Sequence, residues 1–108
     1  MAFFSADEVA PQRVSDKITR WVVSGEKVML TIHEVAAGTV VDLHRHSNEQ
    51  IVYLLSGAMR FRLGEEEREI GAGDFVVIPP NVEHSAHVLA DMRAVEVFTP
   101  IRPEFLRG

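Results

Sequence analysis

The stretch Gly38-Thr39-Val40-Val41-Asp42-Leu43-His44-Arg45-His46-Ser47-Asn48-Glu49-Gln50, answered downstream by His84, decides how the rest of this chain is read. Side chains alternate with period two along a strand, so His44 and His46 are expected to point the same way. Gln50 shares their parity, and a continued strand aims it at the same point. Glu49 is the competing donor, but its opposite parity turns it away unless a bulge intervenes. Neutral imidazole is the commonest protein ligand for transition metals. The spacing therefore predicts a site for one divalent transition metal, held by His44, His46, Gln50 and His84. A histidine-rich set of this kind suits Zn, Ni, Cu, Fe or Mn.

Short apolar runs separated by Gly, Pro, Asn and charged turns surround this stretch, the pattern of an all-β sandwich or barrel. The sequence predicts strands at 27–35, 39–46, 50–55, 58–63, 66–70, 75–78, 85–89 and 93–98. In the first of these Val28, Leu30 and Ile32 share one face. Ser56-Gly57 closes the third strand, and Pro79-Pro80-Asn81 breaks the sixth, because proline cannot continue a central ladder. Residues 14–21 read as an edge strand or a short helix. The acidic run Glu65 to Glu69 reads as a solvated hairpin.

A chain of 108 residues with nearly half of them apolar is long enough for one domain with its own core. It has no cysteine, so disulfides and thiolate metal sites are excluded. The start of the chain lacks a basic segment followed by an apolar one, and no apolar run is long enough to span a bilayer. A cytoplasmic protein without a membrane partner is the expectation. The net charge of -5 speaks against nucleic acid, whereas a local cation still permits a small anionic substrate.

A second cluster lies at Glu96-Val97-Phe98-Thr99-Pro100-Ile101-Arg102. Glu96 and Phe98 share parity. If their face lines the barrel, Glu96 carries a pKa raised by burial and moves protons, Phe98 stacks on a sugar ring, and Arg102 forks onto a carboxylate. Residue chemistry alone leaves the plainer alternative open: a solvated Glu96, a core Phe98 and a surface Arg102. Asp42 has the parity of a residue buttressing a ligand, against a role at the rim. His33 lines the barrel, contacts a partner subunit or is an ordinary strand residue, the last being the preferred reading, while His87 and Tyr53 have the wrong parity for the pocket.

These residues resemble the cupin superfamily of small β-barrels, double-stranded β-helices of jelly-roll type. The first cupin motif corresponds to Gly38, His44, His46, Gln50 and Gly57. The second corresponds to Gly73, Pro79, Asn81 and His84, with Val88 at a position usually held by asparagine. Gln50 stands where the family usually has glutamate, which leaves a divalent site at a net +2 instead of +1. Asn81 stands where glycine is usual and tolerates the same left-handed backbone. The His44, His46, Glu49, Gln50 pattern also resembles the cupins of pectin degradation, as do Glu96, Phe98, Thr99, Pro100 and Arg102. Phe3-Phe4 and Trp21 ahead of a Gly-Glu-Lys turn look similar too.

That resemblance implies one cupin domain over 1–108, with its two motifs at 38–57 and 73–88. It implies a metal-dependent isomerase that linearises 4,5-unsaturated uronates to keto acids. The ligands it implies are His44, His46, Gln50 and His84; the catalytic and substrate residues are Glu96, Phe98 and Arg102. Glu96 is aspartate in the family pattern. Two further readings stand beside this one: a metal-dependent dioxygenase on a small organic substrate, and a non-catalytic small-molecule binding module. A homodimer is expected, because an open sheet edge favours pairing.

Overall fold

The computed structural model describes residues 2–107. Its elements are β1 (Gln12–Arg13), β2 (Ile18–Ser24), β3 (Met29–Val35), β4 (Val40–His44), β5 (Glu49–Leu63), β6 (Glu66–Gly71), β7 (Phe75–Ile78) and β8 (His84–Thr99). Short 3-10 turns at Ala6–Glu8 and Pro103–Arg107 flank them, and the described residues include no α-helix. All pairings are antiparallel, in the order β1-β2-β3-β8-β5-β6, with β4 joined to β8 and β7 to β5. The all-β barrel expected from the sequence is the fold observed.

Two long strands make this one sheet into two layers. The first half of β5 pairs β7 and its second half pairs β6, while β8 pairs β4 early and β3 late. Each therefore passes from one layer into the other. The sequence divided both strands, at Ser56-Gly57 and between Leu89 and Arg93; the structure keeps them continuous and bends them. The bend is a run of register shifts between Leu54 and Met59 against β8. Gly57 sits there with φ +88°, and an added Cβ would lie 2.4 Å from the Asp91 carbonyl oxygen. Both the left-handed backbone and the close approach need glycine.

The 14–21 segment resolves into a turn and the start of β2, whose edge is covered by the two-residue β1. His46 lies beyond β4, in the loop before β5, so strand parity does not aim it. The face expected to be buried in β3 points outward: Met29, Thr31 and Val35 are buried, whereas Leu30, and Val28 just before the strand, are exposed. Register extends that outer face across five strands. Val23, Leu30, Val97, Ile51 and Val77 form one cross-strand row, and Trp21, Ile32, Val95, Tyr53 and Phe75 another. The Tyr53 and Phe75 rings stack at 4.4 Å on this face, as the parity of Tyr53 suggests.

The inner face holds two apolar clusters. Val52, Leu54, Met59, Phe61, Val76, Ile78 and Ala94 form the larger, and Met29, Phe98 and Phe105 the smaller. A cavity of about 190 Å³ lies between them, bordered by members of both. Gly57→Ala is expected to lower stability by about 2 kcal/mol or more in urea denaturation, because backbone must move to admit the Cβ. A change within about 0.5 kcal/mol, the range of an ordinary surface substitution, would contradict this account of the bend.

Candidate metal centre

Three elements deliver the imidazoles. His44 ends β4 after a register shift, and His84 opens β8 directly opposite it. The turn that returns the chain to β8 runs through Asn81, whose φ of 65° is left-handed. The Asn81 N–H donates to the His46 carbonyl at 2.8 Å and so fastens this turn to the His46 loop. Ring centroids of His44 and His84 are 4.2 Å apart, those of His46 and His84 5.0 Å. One nitrogen from each of the three lies within 4.8 Å of the others.

The backbone fixes which nitrogen faces inward. Nδ1 of His44 lies 2.8 Å from the Asp42 carbonyl, that of His46 3.1 Å from the Asn48 carbonyl, and that of His84 2.9 Å from the Val82 carbonyl. A carbonyl only accepts, so each Nδ1 carries the hydrogen and each Nε2 carries a lone pair. Asp42 thus buttresses His44 through its main chain, while its side chain is exposed. Nε2 of His84 is buried without a hydrogen-bond partner among the described residues. Burying an unpartnered polar atom is costly, and a cation at the centre of the cluster satisfies it.

Gln50 is buried at the start of β5, and Glu49 beside it is exposed. The Gln50 Nε2 group donates to Glu96 Oε1 at 2.5 Å, which leaves Oε1 of Gln50 3.0 Å from Nε2 of His46. Two acceptors facing each other repel unless they share a cation. Donors bound about 2.1 Å from one ion stand roughly 3.0–3.4 Å apart, depending on geometry. The residues present therefore fit a divalent metal with His44, His46, His84 and Gln50 as its holders.

Glu96 projects from β8 into the same cavity, its side chain 14 % exposed, with Oε2 held at 3.0 Å by Nδ1 of His33. The raised pKa expected of a buried glutamate is corrected by the structure. Desolvation is the largest single influence and pushes it up. The His33 charge and hydrogen bond, the Gln50 amide and the Arg102 charge together outweigh it, so the carboxyl sits below its ordinary value. Arg102 also borders the cavity, where it bonds Glu104. Phe98, expected as a stacking platform, is 1 % exposed and packs edge-on against Phe105 and His46, with the Arg102 guanidinium 5.4 Å over its ring. Its place is that of a wall between the imidazoles and Arg102.

Of two further cavity residues, the sequence reading set one aside and missed the other. His33, taken there as an ordinary strand residue, faces inward beside Glu96. Arg20 pairs in register with His33 and lies 3.9 Å over the Phe105 ring, with Arg102 4.4 Å over the same ring. Burial and the nearby Arg102 charge lower the pKa of Arg20, and among the described residues it forms no ion pair. His87 is exposed, as its parity suggests.

Burial is the main reason that the His84 pKa lies below its ordinary value of 6.5; the Val82 carbonyl opposes this, and His44 and His46 reinforce it. The unfolded chain therefore takes up this proton first as pH falls, and stability decreases with it. The melting temperature of metal-free protein is expected to drop as pH descends from 7 through about 6.5, with a shallower slope in His84→Phe. Identical slopes in the two proteins would contradict the buried neutral imidazole.

Comparison with known proteins agrees with this architecture. The family model described as "Cupin domain" matches residues 31–99. KdgF from Halomonas sp. is 31 % identical and superimposes with a TM-score of 0.88, over 96 % of this chain and 99 % of that one. An RmlC-like cupin from Shewanella frigidimarina has a TM-score of 0.90 at 20 % identity, covering 97 % of this chain and 96 % of the other. An uncharacterized protein of Streptomyces coelicolor is 26 % identical over 102 residues, 93 % of this chain and 97 % of its own length. With the family model, the two-layer barrel and the three-imidazole cluster in agreement, this chain belongs to the cupin family.

Proposed function

We propose that this cupin is a metal-dependent sugar-acid isomerase that opens and tautomerises 4,5-unsaturated uronates to linear keto acids. The observation that carries the reading is the meeting, around one cavity, of His44 and His84 from the three-imidazole cluster, a carboxylate anchored at both oxygens, and two guanidiniums. The fold requires none of these polar groups, and burying them costs stability. The Glu96 to Arg102 motif and the likeness to KdgF of Halomonas sp. support the same reading.

A divalent ion held by His44, His46, His84 and Gln50 supplies Lewis-acid stabilisation of negative charge on a substrate oxygen. The remaining work falls to side chains. Arg20 and Arg102 concentrate positive charge in the cavity of a chain whose net charge is -5, and so attract a carboxylate. Phe105 holds both guanidiniums over its ring and limits the entropy they lose on binding. Glu96, kept ionised by His33 and Gln50, acts as base, since each carboxylate oxygen retains a further lone pair.

In the reaction, Glu96 takes the proton of the anomeric hydroxyl and the ring C1–O bond breaks. The released enolate takes that proton back from Glu96 at C4 as its C5–O becomes a ketone, giving an aldehyde at C1 and a keto acid at C5 and restoring the carboxylate. The overall change is isomerisation and needs no oxidant. A cavity of about 190 Å³ suits a monosaccharide acid more than a polymer. The homodimer expected from the sequence belongs to the same proposal, supported by the two apolar rows on the outer face.

Unsaturated galacturonate should lose its ultraviolet absorbance on addition of metal-loaded protein and keep it with protein stripped by EDTA. Glu96→Gln should lower kcat by about 10²- to 10⁴-fold while retaining metal, the range expected for loss of a general base. Full metal occupancy without turnover by the wild type would overturn the proposal.

A further inference from the structure

A glutamine amide can enter a site either way round, and only one orientation presents oxygen to a metal. Nothing on the imidazole side enforces that choice. Nε2 of His46 carries a lone pair, so on its own it prefers the Gln50 NH₂ group at 3.0 Å to the oxygen found there. The constraint comes from the opposite side. Glu96 Oε1 lies 2.5 Å from the Gln50 amide nitrogen; a flipped amide would set oxygen against carboxylate oxygen at that distance. Glu96 is itself fixed, because His33 donates to Oε2 at 3.0 Å from the neighbouring strand β3. Thr31 stands 3.1 Å from the same His33 nitrogen and is fully buried, which confines the ring further.

We propose that Glu96 and His33 are positioning residues for the metal centre: they lock the Gln50 amide with its oxygen toward the three imidazoles. The carboxylate that the cupin pattern places on the metal is in this chain one step removed. It serves as an acceptor behind a neutral ligand, so the centre keeps its charge of +2 and its fourth donor is oriented all the same. Glu96 then has two separable duties: proton transfer requires an ionisable group, whereas orientation requires only an acceptor.

This inference rests on the metal-centre part of the proposed function and not on the substrate. Its test is cobalt(II) affinity, by competition with a chromophoric chelator, with the visible d–d spectrum and a thermal melt as companions. Glu96→Leu is expected to bind cobalt about 10-fold or more weakly, the usual scale for losing a partner that orients a ligand. Glu96→Gln, whose amide oxygen still accepts, should bind within about 3-fold of wild type. His33→Phe should weaken binding in the same direction as Glu96→Leu and by less.

A double-mutant cycle separates orientation from a direct effect of the Glu96 charge. In a Gln50→Leu background Glu96→Leu should cause no further loss, because the amide it orients is gone. That doubly apolar pair also leaves neither partner unsatisfied, so it stays measurable if Glu96→Leu alone fails to fold. Wild-type affinity in folded Glu96→Leu would overturn the inference. So would an undiminished loss in the Gln50→Leu background. Neither result bears on whether unsaturated uronates are turned over, and absence of turnover with the expected cobalt pattern would count against the reaction alone.

Discussion

Each of the three imidazoles gives its Nδ1 hydrogen to a main-chain carbonyl two residues away, and this constraint directs three lone pairs at one point. The carbonyls belong to Asp42, Asn48 and Val82, so strand ends and a loop, not side chains, choose the tautomers. Once that choice is made, the interior contains acceptors without donors. His84 is left with a buried unpartnered nitrogen, and His46 faces the oxygen of Gln50. A cation resolves both at once. The polar chain running from Gln50 through Glu96 to His33 extends the same logic outward, each group donating to the next carboxylate oxygen or held by it.

The two-layer sheet makes room for this arrangement. Because β5 and β8 bend from one layer into the other, His44, His84 and the Glu96 carboxylate come to border one cavity from different parts of the sheet. Phe98 and Phe105 fill the space between and carry the two guanidiniums. Cost and function coincide here. A smaller core cluster of Met29, Phe98 and Phe105 both buries apolar surface and positions the charges, so substitutions in it affect stability and site together.

Much of this was legible in the residues, for reasons that differ from place to place. The barrel class followed from short apolar runs and their turns, and the left-handed turn at Asn81 from the chemistry of asparagine. His44 and His84 followed from spacing. His46 reached the cluster through a loop tied down by Asn81, a contact that no strand periodicity encodes. Periodicity misled in β3, where Leu30 and Ile32 lie on the outer face while Thr31 is buried among the inward-facing Met29 and Val35 and His33 borders the cavity. Polar groups on the inner face of a half-apolar strand break the usual pattern, and this is why His33 passed for an ordinary strand residue. Arg20 was hidden because its strand could not be told from a helix. The sign of the Glu96 shift depended on His33 and Arg102, partners that only folding brings near.

We propose that the three imidazoles and the Gln50 amide oxygen hold one metal ion. A crystal of cobalt-loaded protein, with anomalous data collected across the cobalt edge, tests it most directly. A single strong peak is expected within bonding distance of Nε2 of His44, His46 and His84 and of Oε1 of Gln50, with Glu96 still accepting from the Gln50 nitrogen. A peak elsewhere, or an ion bound through Glu96 or Glu49 with the Gln50 oxygen turned away, would contradict it.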